Sequence, residues 1–180
     1  MFDATRPNRT LLTGMVLACA FQASPALADT VTGNGTVTAT VTATCDLVAT
    51  PTIAFGPISG LATVAADVTA QGTITVICST GAGYTVYIGD GANRVAPGSG
   101  NRQMANGAGR LPYQLYKTNA YAAIWDATGG TATTGGSGGV NGTGTGANQN
   151  LTVYGRIAAG TTVPTVLGNY SDTVLITVTY

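Results

Sequence analysis

The chain has 180 residues, no histidine, a formal net charge of +0 and 8% charged residues. Without imidazole there is no Ser/His/Asp or Cys/His arrangement and no histidine metal site, and without a basic surplus nothing draws the chain to nucleic acid or anionic lipid. Glutamate is absent and lysine occurs once, which disfavours long surface helices, whereas the abundant Val, Ile, Tyr and Thr suit strands.

Arg6 and Arg9 precede an apolar stretch from Leu11 to Phe21, followed by Ala26-Leu27-Ala28. This order predicts a secretion signal over 1–28, cleaved between Ala28 and Asp29. The apolar run falls short of the ~20 residues of a membrane span. A competing reading takes Val16-Leu17-Ala18-Cys19 as a lipid-attachment site with Cys19 modified. Removing 1–28 leaves five cationic residues against six aspartates and enough chain for one domain with a substantial core.

From Thr30 to Cys45 the residues alternate: Val31, Gly33, Gly35, Val37, Ala39, Val41, Ala43 and Cys45 against Thr or Asn at every even position. Typical strands run ~5–6 residues, so this segment predicts a strand too long for its own domain, with part of it serving something else. Further strands are expected at Thr52 to Phe55, Ala62 to Thr69, Gly72 to Cys78, Tyr84 to Ile88, Leu111 to Tyr116, Ala122 to Trp125, Asn150 to Ile157 and Thr173 to Tyr180. Short alternating strands separated by Gly, Asn, Asp and Pro predict a two-sheet antiparallel sandwich. Thr128 to Ala147, almost wholly Gly, Thr, Ala, Ser and Asn, reads as a long mobile surface loop, inert rather than glycan-binding or antigenic.

The last strand places Val174, Ile176, Val178 and Tyr180 on one inward face. A sheet edge there without a neighbour leaves unpaired N–H and C=O groups and an open groove. An over-long strand at one end and an unpartnered strand at the other suggest that a strand of one molecule fills a gap in the next.

Cys45 and Cys78 remain after signal removal. In an oxidising compartment they have only each other within the chain, and a bridge would contribute ~3–4 kcal/mol; two buried free thiols are the alternative. The aspartates are scattered in turn-like contexts, and Asp90 with Asn93 supplies fewer oxygen ligands than calcium takes. The Gly-rich run Gly135 to Gly146 lacks the lysine of a phosphate loop. The chain therefore reads as no enzyme, with no cofactor, no metal site, no small-molecule substrate and no nucleic-acid partner. The aromatic residues Tyr84, Tyr87, Tyr113, Tyr116, Tyr121, Trp125, Tyr154, Tyr170 and Tyr180 read as core and sheet packing or as a sugar-binding face.

Several fragments together resemble the spore coat protein U domain family, which includes pilins of the archaic (Csu-type) chaperone–usher pathway. They are the alternating segment ending at Cys45, Phe55-Gly56, Gly72 to Cys78, Tyr84-Thr85-Val86, Arg102-Gln103-Met104, Leu111 to Tyr116, Trp125, Val153 to Ile157, and Gly168 to Val174 with Val178-Thr179-Tyr180. The resemblance implies an incomplete immunoglobulin-like antiparallel β-sandwich, completed by a donor strand from a neighbouring subunit. It implies a periplasmic chaperone, an outer-membrane usher and identical or related pilin subunits as partners, with export through the periplasm to a cell-surface pilus that supports adhesion and biofilm formation.

On this reading 29–40 is the donor segment and 41–180 the pilin domain. The donor face is Val31, Gly33, Gly35, Val37, Ala39 and Val41. From about Val41 the strand belongs to its own sandwich and ends at the Cys45–Cys78 bridge. Val174, Ile176, Val178 and Tyr180 border the acceptor groove and meet the chaperone. Competing readings are a secreted spore-coat or surface-layer protein of the same fold, and a monomeric secreted glycan-binding module.

Overall fold

The computed structural model describes residues 28–59, 62–97, 102–128 and 135–180, and the chain divides into two compact units, Met1–Ala39 and Thr40–Tyr180. In the first unit, residues 28–39 join no strand and are exposed throughout. The expected signal 1–28 and the alternative lipid site at Cys19 lie, apart from Ala28, outside the described residues. The second unit is all β, with no helix among its described residues. Its strands are β1 (Cys45–Ala49), β2 (Val68–Cys78), β3 (Gly83–Ile88), β4 (Gln103–Asn106), β5 (Gly109–Pro112), β6 (Gln114–Tyr116), β7 (Val140–Thr143), β8 (Asn148–Ile157) and β9 (Ile176–Thr179).

All pairings between these strands are antiparallel. One sheet runs β1-β2-β8-β6, a second β7-β3-β9, and β4-β5 forms a hairpin. The backbone of the fold is the β2–β8 ladder, unbroken from Val68↔Ile157 to Ile77↔Asn148. Period-two alternation sets its faces: Ile74, Val76, Cys78, Val153 and Ile157 are buried, while Gln71, Thr73 and Asn150 are exposed. Its inner face packs on Tyr84, Val86 and Ile88 of β3 to form the main core, with Leu115 and Trp125. Cys45 and Cys78, direct partners across β1 and β2, are joined as a disulfide that ties the edge strand to the centre of the sheet.

The structure departs from the sequence reading in particular places. Residues 28–44 form no strand, so the chain's own first strand begins at Cys45 rather than ending there. The expected strands at Ala62 to Thr69 and Gly72 to Cys78 are largely one, β2, which starts at Val68. Leu111 to Tyr116 splits at Tyr113 because β5 pairs with β4 whereas β6 pairs with β8. Ala122 to Trp125 contributes only an isolated bridge, Tyr116↔Ile124, and Thr52 to Phe55 joins no ladder. The final strand is confined to Ile176–Thr179, and Tyr180, expected inward, is 55% exposed.

The largest correction concerns Thr128 to Ala147. Residues 129–134 lie outside the described set, but beyond them the segment is ordered onto β3: β7 pairs with it from Gly83↔Thr143 to Val86↔Val140. The Gly135 amide donates to the Thr85 hydroxyl at 2.7 Å and the Gly136 amide to the Tyr87 hydroxyl at 3.1 Å. A Cβ on Gly142 would collide with the Tyr84 ring, and one on Gly139 with Thr85, Tyr87 and the Val86 carbonyl. Here glycine serves close backbone approach rather than freedom. The result is a β3 buried on both faces from Tyr84 to Ile88.

One buried cation fastens the sandwich end. Arg102, 1% exposed, donates to the carbonyls of Ile88, Gly89 and Trp125, each at 2.8 Å through Nη2, and through Nη1 to Gln114 Oε1. Trp125 Nε1 in turn donates to the Val86 carbonyl at 2.8 Å. Burial lowers the Arg102 pKa from its usual value, and the surrounding Tyr113, Asp90, Asp126 and Asp172 act in the opposite sense. The guanidinium thus replaces water as the partner of three carbonyls where β3 ends.

Two outcomes follow. Replacing Cys45 and Cys78 together by Ser should cost ~3–4 kcal/mol in urea-induced unfolding. Reductant should lower the midpoint of the natural protein and leave that of the double variant unchanged. Arg102→Met, which retains apolar bulk but strands the Ile88, Gly89 and Trp125 carbonyls, should cost at least ~3 kcal/mol at ~1–3 kcal/mol for each unsatisfied group.

Candidate functional site

The core is finished at one end of the sandwich and unfinished at the other. The main cluster contains Ile74, Val76, Val86, Ile88, Trp125 and Val153, each at most 1% exposed. The second cluster has only Val64, Leu111 and Ile157 fully buried, ringed by half-buried apolar side chains that include Phe55, Met104, Tyr113, Val163 and Tyr170. An open cleft runs over that ring. Its larger part has a volume of about 660 Å³ and its smaller part about 330 Å³, and the two share Ile53, Phe55, Met104 and Tyr170.

Two lengths of chain outside any sheet form the walls. One follows β1: Pro51, Ile53, Phe55 and Ile58 are half-buried while Thr52, Ala54 and Pro57 are exposed. It lies over sheet glycines, since a Cβ on Gly72 would strike Pro51 and Ile53, and one on Gly155 would strike Phe55 and Ile53. The other wall leads into β9, with Val163, Tyr170 and Val174 among its lining residues. Among the described residues β9 pairs with β3 and no other strand, and β1 with β2 alone.

Polar contacts hold the second wall in place. The Tyr113 hydroxyl donates to Asp172 Oδ2 at 2.7 Å, and Asp172 Oδ1 accepts from the Asn93 amide and Asn93 Nδ2, both at 3.1 Å. Ser171 exchanges backbone bonds with Ala105 at 2.9 and 3.1 Å. Burial first, and then the bond to Asp172, raises the Tyr113 pKa far above its usual value, so the phenol stays a donor at any physiological pH. Nothing in this floor is a nucleophile–base pair, and among the described residues no group of three or more His, Cys, Asp or Glu could hold a metal ion. The cleft can offer apolar burial.

The residues singled out in the sequence fall on both sides of this arrangement. Val31 and Val37 are 94% and 97% exposed, and Gly33, Gly35, Ala39 and Val41 are exposed too, all outside any ladder. Val174 lines the cleft, whereas Ile176 and Val178 pack half-buried against the main core and Tyr180 stands largely in solvent. Ile53, Met104, Leu111 and Val163 were not foreseen as lining. The alternation of Ile53 and Phe55 was visible, but it reads as a paired strand, and Val163 sits in a stretch punctuated by Gly and Pro.

Among the described residues no helix is long and apolar enough to cross a membrane. No curated protein matches the chain. Among solved structures it is similar to the CsuC–CsuE chaperone–tip adhesion subunit pre-assembly complex from archaic chaperone–usher Csu pili of Acinetobacter baumannii, at 20% identity and a TM-score of 0.49. That similarity covers 78% of this chain and 40% of the other. The Spore Coat Protein U domain model matches residues 31–177. With that match spanning most of its length, the chain belongs to the Spore Coat Protein U domain family.

Proposed function

We propose that the chain is a structural subunit of a chaperone–usher surface pilus that polymerises by donor-strand exchange, its fibre supporting adhesion and biofilm formation. The observation that carries this reading is the open apolar cleft between Pro51–Ile58 and Val163–Val174 in a domain whose core is otherwise closed. The donor is the segment 29–40 of a second copy, with Val31 and Val37 as its bulkiest apolar residues and Val41 directly after it. Burying three valines at ~1.5–3 kcal/mol each, with a ladder of backbone bonds, suits a plug that holds only when most of it engages.

Before assembly the same cleft and the strand ending in Val174, Ile176, Val178 and Tyr180 are the surface offered to a periplasmic chaperone, which hands the subunit to an outer-membrane usher. Leu175 and Tyr180 are exposed large apolar residues on this stretch. The domain then crosses to the cell surface as part of the fibre. The name of the family favours a second reading, a spore-coat or surface-layer component of the same fold. Thin fibres that vanish on deletion of the gene distinguish the pilus from a coat.

Appending Thr30 to Val41 to the C-terminus through a flexible linker should yield a soluble monomer of raised melting temperature, while the unmodified exported subunit polymerises or aggregates. Equal stability of the two chains would sink the donor-strand reading. Val37→Asp alters a side chain exposed at 97%, so thermal unfolding of the subunit should stay within ~0.5 kcal/mol of the natural chain. Fibre growth, followed by light scattering, should nonetheless fall sharply because a carboxylate would have to enter an apolar cleft.

A further inference from the structure

The sequence contains three Asn-Gly pairs: Asn34-Gly35, Asn106-Gly107 and Asn141-Gly142. An asparagine side-chain carbonyl is open to attack by the backbone nitrogen of the next residue, and glycine, with no Cβ, hinders that approach least. Two of the pairs are held. Asn141 lies in β7 opposite Thr85, and its Oδ1 accepts the Thr85 hydroxyl at 2.7 Å. Asn106 ends β4 opposite Gly109 and donates through Nδ2 to the Leu167 carbonyl at 3.2 Å. Asn34 belongs to no strand and is exposed, and the space where a Gly35 side chain would stand is empty to 4 Å.

We infer that Asn34 is a site of spontaneous amide-to-carboxylate conversion that limits how long an unassembled subunit can donate its N-terminal segment, an inference that rests on the donor reading above. The Gly35 backbone nitrogen attacks Asn34 Cγ and forms an N–Cγ bond. The Cγ–Nδ2 bond breaks, and ammonia leaves with the proton taken from the attacking nitrogen, giving a cyclic imide. Water then opens the ring and is the sole co-reactant. Opening at the side-chain carbonyl gives aspartate; opening at the backbone carbonyl gives isoaspartate, whose main chain runs through Cβ.

The two products act differently on a strand. Aspartate at 34 sits among Thr32 and Thr36 on the polar face and keeps the phase of the alternation. Isoaspartate lengthens the main chain by one methylene, and because side chains in a strand alternate with period two, Val31 no longer shares a face with Val37. Assembly protects the site. A ladder holds Asn34 at strand dihedrals, where the Gly35 nitrogen is turned away from Cγ, so conversion proceeds in free subunits and stops in the fibre.

The test ages the full exported chain in mildly alkaline buffer and follows each Asn-Gly pair by peptide mapping, with enzymatic methyl transfer to isoaspartate as the readout. Asn34 should convert several-fold faster than Asn106 or Asn141 in free subunits and should be spared in assembled fibres. Polymerisation competence should fall in step with isoaspartate at 34. Asn34→Thr, which continues the surrounding alternation and cannot cyclise, should lose none of its own initial competence over the same period, whatever that starting level is. Conversion of Asn34 no faster than of Asn141, or undiminished polymerisation by isoaspartate-bearing chains, overturns the inference. Deleting 29–40 separates the two failures. If that deletion abolishes polymerisation while isoaspartate does not, the donor reading stands and only the present inference falls.

Discussion

The arrangement depends on an imbalance of apolar burial: two sheets supply enough strands to close one end of their shared core and too few to close the other. At the closed end each inward residue of β2, β3 and β8 meets partners from the opposite sheet, with Trp125 filling what remains. Toward the Phe55–Tyr170 end the first sheet continues through Val68 and Ile157, but the opposite layer thins to chain segments without a ladder. Apolar surface left open in this way is unfavourable at ~25 cal/mol per Å². Under the proposed exchange an extended strand, rather than a compact partner, is the occupant that covers this surface.

What keeps the groove open instead of collapsed is polar. Asp172 ties the strand entering β9 to Asn93 and Tyr113, and Arg102 ties the end of β3 to Gln114 and Trp125. The Asp172 network joins two residues that line the cleft, Tyr113 and Asp172, whereas the Arg102 network lies beside the main core. Breaking the Asp172 bonds would leave part-buried donors and acceptors in the cleft wall unpaired. A wall fixed by hydrogen bonds is pre-organised, so under the proposed exchange an incoming strand would spend less of its binding energy on reshaping the site.

The sheet strands that carry the main core were legible because their alternation and their burial coincide: Ile74, Val76 and Cys78 in β2, Val153 and Ile157 in β8, Tyr84 to Ile88 in β3. The disulfide was legible from cysteine number. Alternation misleads where it marks burial without pairing. Ile53 and Phe55 alternate as a strand does, yet they cover the glycines of a sheet already formed, and nothing in their own sequence distinguishes a cover from a ladder. The Gly-rich segment was opaque for the opposite reason. Its order comes from Tyr84, Thr85 and Tyr87 far away in sequence, whose side chains leave room only for residues without a Cβ, so composition suggests freedom where contact imposes constraint.

Glycine has a different meaning again in the N-terminal unit. Gly33 and Gly35 meet nothing that would exclude a side chain, so close approach within the free subunit does not account for them. They lower the apolar area that the alternating face can bury, and under the proposed exchange they shift the weight of binding from side chains to the backbone ladder. A ladder forms cooperatively along its length, whereas isolated valines could dock one by one. Such a donor discriminates by register and continuity more than by the fit of any single residue. Under that exchange the lean composition of the segment suits an apolar cleft that recognises its partner as an uninterrupted strand.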